Sequence, residues 1–183
     1  MLSSLWSPQS TAILTVQGWR VEQRRLREQQ KLEAKLEYRR QQIEELYGPL
    51  WGMIQQNQAI YGVAKKILPN DARKVKWDEF KDDDSKVWNF FFEFYLLPIQ
   101  SKMAELINAK SYLLELENGE TQKSLDNFIN HQSISNCLYF LWKEQGKSSL
   151  EKIEPHPYPE DFHKQVKLTL DYLKNDYNKL RLK

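Results

Sequence analysis

The residues of this chain that could do chemistry are His131, His156 and His163, the single Cys137, and the acidic run Asp82-Asp83-Asp84. His156 and His163, with Asp161 between them, supply imidazole and carboxylate donors of the kind that hold zinc. Their separation across a proline-rich stretch matches no paired-ligand spacing, however, and neither an HExxH nor a CxxC motif occurs. The aspartate run has the acids of a calcium loop but lacks its glycine and its distal bidentate glutamate. Cys137 stands among Leu138, Tyr139 and Phe140, where a buried thiol is expected to be inert, and a nucleophile would need a lowered pKa. There is no glycine-rich phosphate loop and no GxSxG elbow. The expectation is therefore no catalytic residue, no metal ligand and no cofactor.

One helical chemistry needs separate exclusion. Some helical RNases set an arginine a few residues ahead of a histidine, so that a fixed cation and an imidazole act on one phosphate. Upstream of His131 the corresponding positions are Ser124, Leu125 and Asp126, and the windows before His156 and His163 also lack arginine. Without the cation, the electrostatic stabilisation that such chemistry requires is missing.

The elements that would position any site are helices. The 183 residues include only 6 glycines and 7 prolines, too few for the frequent turns of an all-β fold. Apolar residues make up 40% and aromatic residues 13%, enough for one core, while 28% charged residues require a solvated exterior. Lysine plus arginine (27) nearly balance aspartate plus glutamate (25), so bulk charge does not point to nucleic acid. A lone cysteine permits no internal disulfide and suits a reducing compartment, so a cytoplasmic location is expected.

Three regions follow: an uncharged segment, 1–19; a charged helix, 20–47; and a helical bundle, 48–183. In the first, Leu5, Trp6, Ile13, Leu14, Val16 and Trp19 could touch a membrane interface at the inner face of a membrane, although Pro8 and several Ser, Thr and Gln residues weaken insertion. The second has no Pro or Gly and is rich in Glu, Gln, Lys, Arg and Leu, which favours helix. Its narrow apolar stripe, Leu32, Leu36, Ile43 and Leu46, suits contact with one other helix and marks the expected protein-association surface. Arg20, Arg24, Arg25, Arg27, Lys31, Lys35, Arg39 and Arg40 alternate with Glu22, Glu28, Glu33 and Glu37, which reads as a solvated helix laced with intrahelical ion pairs.

Within the bundle, Gly48-Pro49 predicts a bend, and helix should resume from Leu50 to Leu68, where Pro69 ends it. Asp84 is the expected N-cap of a segment running from Trp88 to Leu97 that is apolar on nearly every side and so should form the centre of the core. Pro98 should kink or break that helix. Its continuation is expected to stop at Asn118-Gly119, with Thr121 capping the next helix, through Leu125, Phe128, Ile129 and Trp142. His131 should border that helix's packed face as a half-buried imidazole. After the loop Glu154 to Pro159, the residues Phe162, Val166, Leu170, Leu173, Tyr177 and Leu180 predict a final amphipathic helix.

The order Glu44-Glu45-Leu46-Tyr47-Gly48-Pro49-Leu50, then Leu97-Pro98-Ile99, Leu106-Ile107-Asn108 and Phe128-Ile129-Asn130-His131, resembles a broad group of small helical bacterial proteins with an LYGPLY-like turn. The resemblance covers about three quarters of the chain and carries structural, not catalytic, motifs. It implies a helical domain behind a charged helix and a membrane-proximal N-terminus, from which residues 1–19 depart by their Pro, Ser, Thr and Gln content. More distantly, the architecture is similar to helical accessory proteins of RNA-targeting CRISPR systems, which would imply a role in phage defence. The expected function is a non-enzymatic scaffold or adaptor that pairs with itself or a partner protein through the charged helix. A peripheral membrane accessory protein is the first alternative, and a metal- or nucleic-acid-dependent enzyme, for which no motif speaks, is the second.

Overall fold

The computed structural model describes residues 8–68, 82–115, 119–145 and 158–182, with backbone alone for residues 8–17, 82–85 and 145. The described residues are helical and contain no strand: α1 (Pro8–Gln41), α2 (Gly48–Ile67), α3 (Asp82–Phe91), α4 (Leu97–Ala109), α5 (Gly119–Gln145) and α6 (Phe162–Arg181). The chain is an all-α protein in which a long N-terminal helix leads into a multi-helix bundle.

At Pro49 and Pro98, where a bend and a kink or break are expected, the chain stays helical, and by the same device. A π-helical turn, Gln42–Tyr47, joins α1 to α2, and another, Phe92–Leu96, joins α3 to α4. Proline lacks an N–H, and its ring collides with the carbonyl four residues back in a regular α-helix. Widening the turn relieves that collision: the Gly48 N–H bonds to the Ile43 carbonyl and the Leu97 N–H to the Phe92 carbonyl, each one residue further back than usual. Tyr47 and Gly48 keep right-handed helical dihedrals, so Pro49 sits in the first turn of α2 without the chain leaving helix. Only glycine fits at 48, because a Cβ there would lie 2.5 Å from the Ile43 carbonyl oxygen.

Side-chain pairings fix the topology. Arg39 meets Asp176 and Gln58 meets His163, so the rod α1–α2 runs antiparallel to α6. Thr121 meets Thr169 and Phe128 stacks on Phe162 at 4.2 Å, which makes α5 antiparallel to α6 as well. Gln132 reaches Ser101 while Tyr139 reaches Glu93, so the rod α3–α4 opposes α5. The result is an up-down-up-down four-rod bundle.

Its main core is built from Leu46, Tyr47, Leu50, Ile54, Met103, Ile107, Leu113, Leu125, Phe128, Phe162, Val166, Leu170 and Leu173. The α6 face expected from spacing is the one buried. The aromatic segment on α3 is not the core centre. Phe92, Leu96 and Leu97 join Tyr139 in a second, smaller cluster, while Phe90, Phe94 and Tyr95 face outward, Phe94 at 61% exposed. Three rods cannot surround a fourth on every side, and the surplus apolar face is left uncovered.

Boundaries differ from expectation where tertiary contacts overrule local signals. α4 ends at Ala109, and a 3-10 turn, Ser111–Leu113, then carries the chain across α1. Thr121 is not a cap: it lies inside α5, buried against Thr169. Asp84 lies inside α3, which begins at Asp82. Cys137 is exposed rather than buried, because the inward positions of α5 run Thr121, Leu125, Phe128, Gln132 and Tyr139, a face that residue 137 does not share. Ile67 ends α2 and Leu68 turns extended ahead of Pro69, as anticipated.

Candidate functional site

The association stripe expected on the charged helix is largely consumed within the molecule. Leu46 is 0% exposed and belongs to the main core, so it cannot serve a partner. Ile43 packs against that core, and Leu32 and Leu36 are half-buried. Leu36, Arg39 and Ile43 follow at helical spacing on the face that meets α6. The boundary between arm and bundle therefore lies nearer residue 32 than residue 47.

Arg39 fastens this junction. It is buried, and its guanidinium ion-pairs with buried Glu115 and, through Nε at 2.9 Å, with Asp176. Its Nη1 also donates to Gln42 Oε1 at 2.7 Å, and its fork lies 5.7 Å from the Tyr172 ring centroid. Gln42 Nε2 donates to the Leu113 carbonyl, and the Tyr47 hydroxyl accepts the Glu115 backbone N–H. Burial opposes the charge on Arg39, but Glu115 and Asp176 outweigh it and hold its pKa above the ordinary arginine value. Burial pushes the Tyr47 hydroxyl up to about 12. These bonds run between side chains and backbone of three segments, so the cluster is a clamp joining α1, the 110–115 crossing and α6. Nothing in the spacing of positions 39, 115 and 176 could have announced it; only the fold brings them together.

N-terminal of about Ala34, α1 has no helix beside it among the described residues. As described, α6 ends at Arg181, about one and a half turns past Asp176, which brings its end level with about Ala34 of α1. From Gly18 to Lys31 every residue but half-buried Gln23 is exposed, including Trp19 at 64%, Val21 and Leu26. Of the residues expected at a membrane interface, Leu5 and Trp6 lie outside the described residues, Ile13, Leu14 and Val16 fall in α1, and Trp19 projects into solvent. Among the described residues, no helix is long and apolar enough to cross a membrane. The expected intrahelical ion pairs gather at the docked end, where Arg40 holds Glu37 and Glu44.

The histidines gather as sequence spacing did not indicate. Tyr158 lies edge-on to half-buried His131, with ring centroids 5.2 Å apart, and its hydroxyl is 2.7 Å from His163 Nε2. Gln58 Nε2 bonds to His163 Nδ1, which leaves Nε2 as the protonated nitrogen, donating to Tyr158. Burial lowers the His163 pKa and raises that of Tyr158. His131 thus borders the packed face. His156 lies outside the described residues, and among those described no group of three or more His, Cys, Asp or Glu could hold a metal. A shallow cleft of about 190 Å³ between α1 and α6 is lined by Arg40, Ile43, Glu44, Lys174, Tyr177 and Asn178, with Arg40 already committed to its two carboxylates.

No family model, curated protein or solved structure matches this chain.

Proposed function

We propose that this protein is a non-enzymatic helical scaffold whose N-terminal arm pairs with a second helix, from another copy or from a partner protein. The observation that carries the reading is the projection of α1 past the end of α6, with residues 18–31 exposed but for half-buried Gln23 and bearing Trp19 and Leu26. A single helix in water is marginal, since most helical stability in proteins comes from packing one face. Trp19 and Leu26 stand two turns apart on one side with Gln23 between them, the register of a narrow two-helix seam. The four rods behind the arm supply a rigid platform, and Arg39 fixes the direction in which the arm leaves it.

Light scattering across a concentration series tests the reading, with pull-down by the tagged full chain alongside. The full chain is expected to associate, and Trp19→Ala with Leu26→Asp is expected to weaken association while leaving the melting temperature unchanged. Ile43→Asp is unsuitable for this purpose because it would strike the core. A wild-type chain that stays monomeric and captures no partner overturns the proposal.

A further inference from the structure

One face of the arm carries cations without acids. Arg20, Arg24, Arg27, Lys31 and Lys35 succeed one another at intervals of four, three, four and four along an uninterrupted helix, which places all five within about 80° of azimuth. All five are exposed, and none has a carboxylate partner among the described residues. Glu22, Glu33 and Glu37 fall on the far side, and Glu28 stands at the rim. Composition conceals this face, because counting charges along the sequence mixes sides that the helix separates.

We propose that this stripe is a sequence-independent nucleic-acid-binding surface that engages successive backbone phosphates. The five cations span about 22 Å, a linear array suited to a regularly spaced polyanion, and an α-helix is narrow enough to lie along a duplex groove. A flat anionic bilayer suits it less well. Between Gly18 and Lys31 the arm's exposed apolar side chains are only Trp19, Val21 and Leu26, and Val21 lies roughly 140–160° round the helix from the other two, so little apolar area can be buried in one plane. The stripe shares no residue with the seam proposed for helix pairing, so the two proposals fail separately. With both true, the arm would hold a protein on one side and a phosphate backbone on the other.

The test is fluorescence anisotropy of the full chain with a labelled mixed-sequence duplex and its single strand over a salt series. Binding is expected with a Kd on the order of 10⁻⁶ to 10⁻⁴ M near physiological salt. The log–log salt slope should approach about −4.5 for duplex or about −3.5 for single strand if all five cations engage, and the steeper, tighter arm identifies the preferred form. Replacing all five by glutamine should weaken binding at least about tenfold at low salt. The smaller variant Arg24→Gln with Arg27→Gln, whose circular dichroism and melting temperature verify the fold, should flatten the slope by about one for each residue removed. A control losing five other exposed charges, at Arg25, Lys66, Lys102, Lys164 and Lys179, should bind nearly as the wild type does. Three results overturn the proposal: no binding of either oligonucleotide at low salt, equal losses in stripe and control variants, or flotation with anionic vesicles by a chain that ignores both oligonucleotides.

Discussion

Arg39 shows how one buried charge sets the geometry of a whole element. It enters the interior because Glu115 and Asp176 meet it from two other segments and Gln42 completes its hydrogen bonding. Such a pair gains little over an apolar substitute, whereas removing one member strands the other. Arg39→Met should therefore destabilise the protein by about 3–5 kcal/mol in urea unfolding. Arg39→Met with Glu115→Leu should recover much of that loss, and a double variant no more stable than the single one would deny the clamp its role. His163 gives a pH dependence. Its folded pKa is lowered by burial, and protonation would also set an N–H against the Gln58 amide. The folded protein thus binds this proton less readily than the unfolded chain, so the stability that His163 contributes is intact above about pH 6.5 and lost as pH falls below it. Melting temperature should decline between about pH 7 and pH 5, and His163→Gln should flatten that decline. The lowered carboxylate pKa of Glu93, held by Lys143 and Tyr139, acts at more acidic pH, below this window.

At the scale of elements, the two π-helical turns explain why prolines that ought to break helices do not. Each lets the amide just past a buried side chain, Tyr47 or Leu96, bond one residue further back, opening room for the proline that follows. The first turn depends on Gly48 for clearance, not for an unusual dihedral, since its φ is −66°. Gly48→Ala should force the Ile43 carbonyl to move and cost about 2 kcal/mol, the scale of modest overpacking. In a chain of this size that corresponds to a melting temperature lower by roughly 4–8 °C. An alanine variant as stable as the wild type would mean that the turn can reset to α-helical pairing without penalty.

On the scale of the whole molecule, the bundle of four rods leaves two surfaces without a helical partner among the described residues. One is the arm, which extends beyond its last antiparallel neighbour. The other is the aromatic face of α3, where the Phe90 ring lies 5.4 Å from that of Phe94 and 5.7 Å from that of Tyr95, with Phe91 beside them. Exposed aromatic clusters of this kind are more often interaction surfaces than accidents of composition. The arm and this face lie toward opposite ends of the bundle: α1 projects beyond the end of α6, whereas α3 packs beside the second half of α2, with Tyr61 edge-on to Trp88. Separation from both cores is also what makes the arm testable, because Trp19, Leu26 and the basic stripe can be changed without touching a buried contact.

The sequence by itself determined the helical class, the amphipathic face of α6, the stop before Pro69 and the long charged helix at the N-terminus. Those features rest on local physics: propensity, apolar spacing, and the loss of a donor and a dihedral at proline. Tertiary structure decided the rest, because burial depends on which helix faces are opposed. It drew Leu46 and Ile43 from an expected association stripe into the core, turned half the aromatic segment outward, and exposed Cys137. It also gathered Arg39, Glu115 and Asp176 into one clamp and Tyr158, His131 and His163 into one cluster. No periodicity carries such meetings, since they join residues whose separation along the chain has no bearing on their distance in the fold.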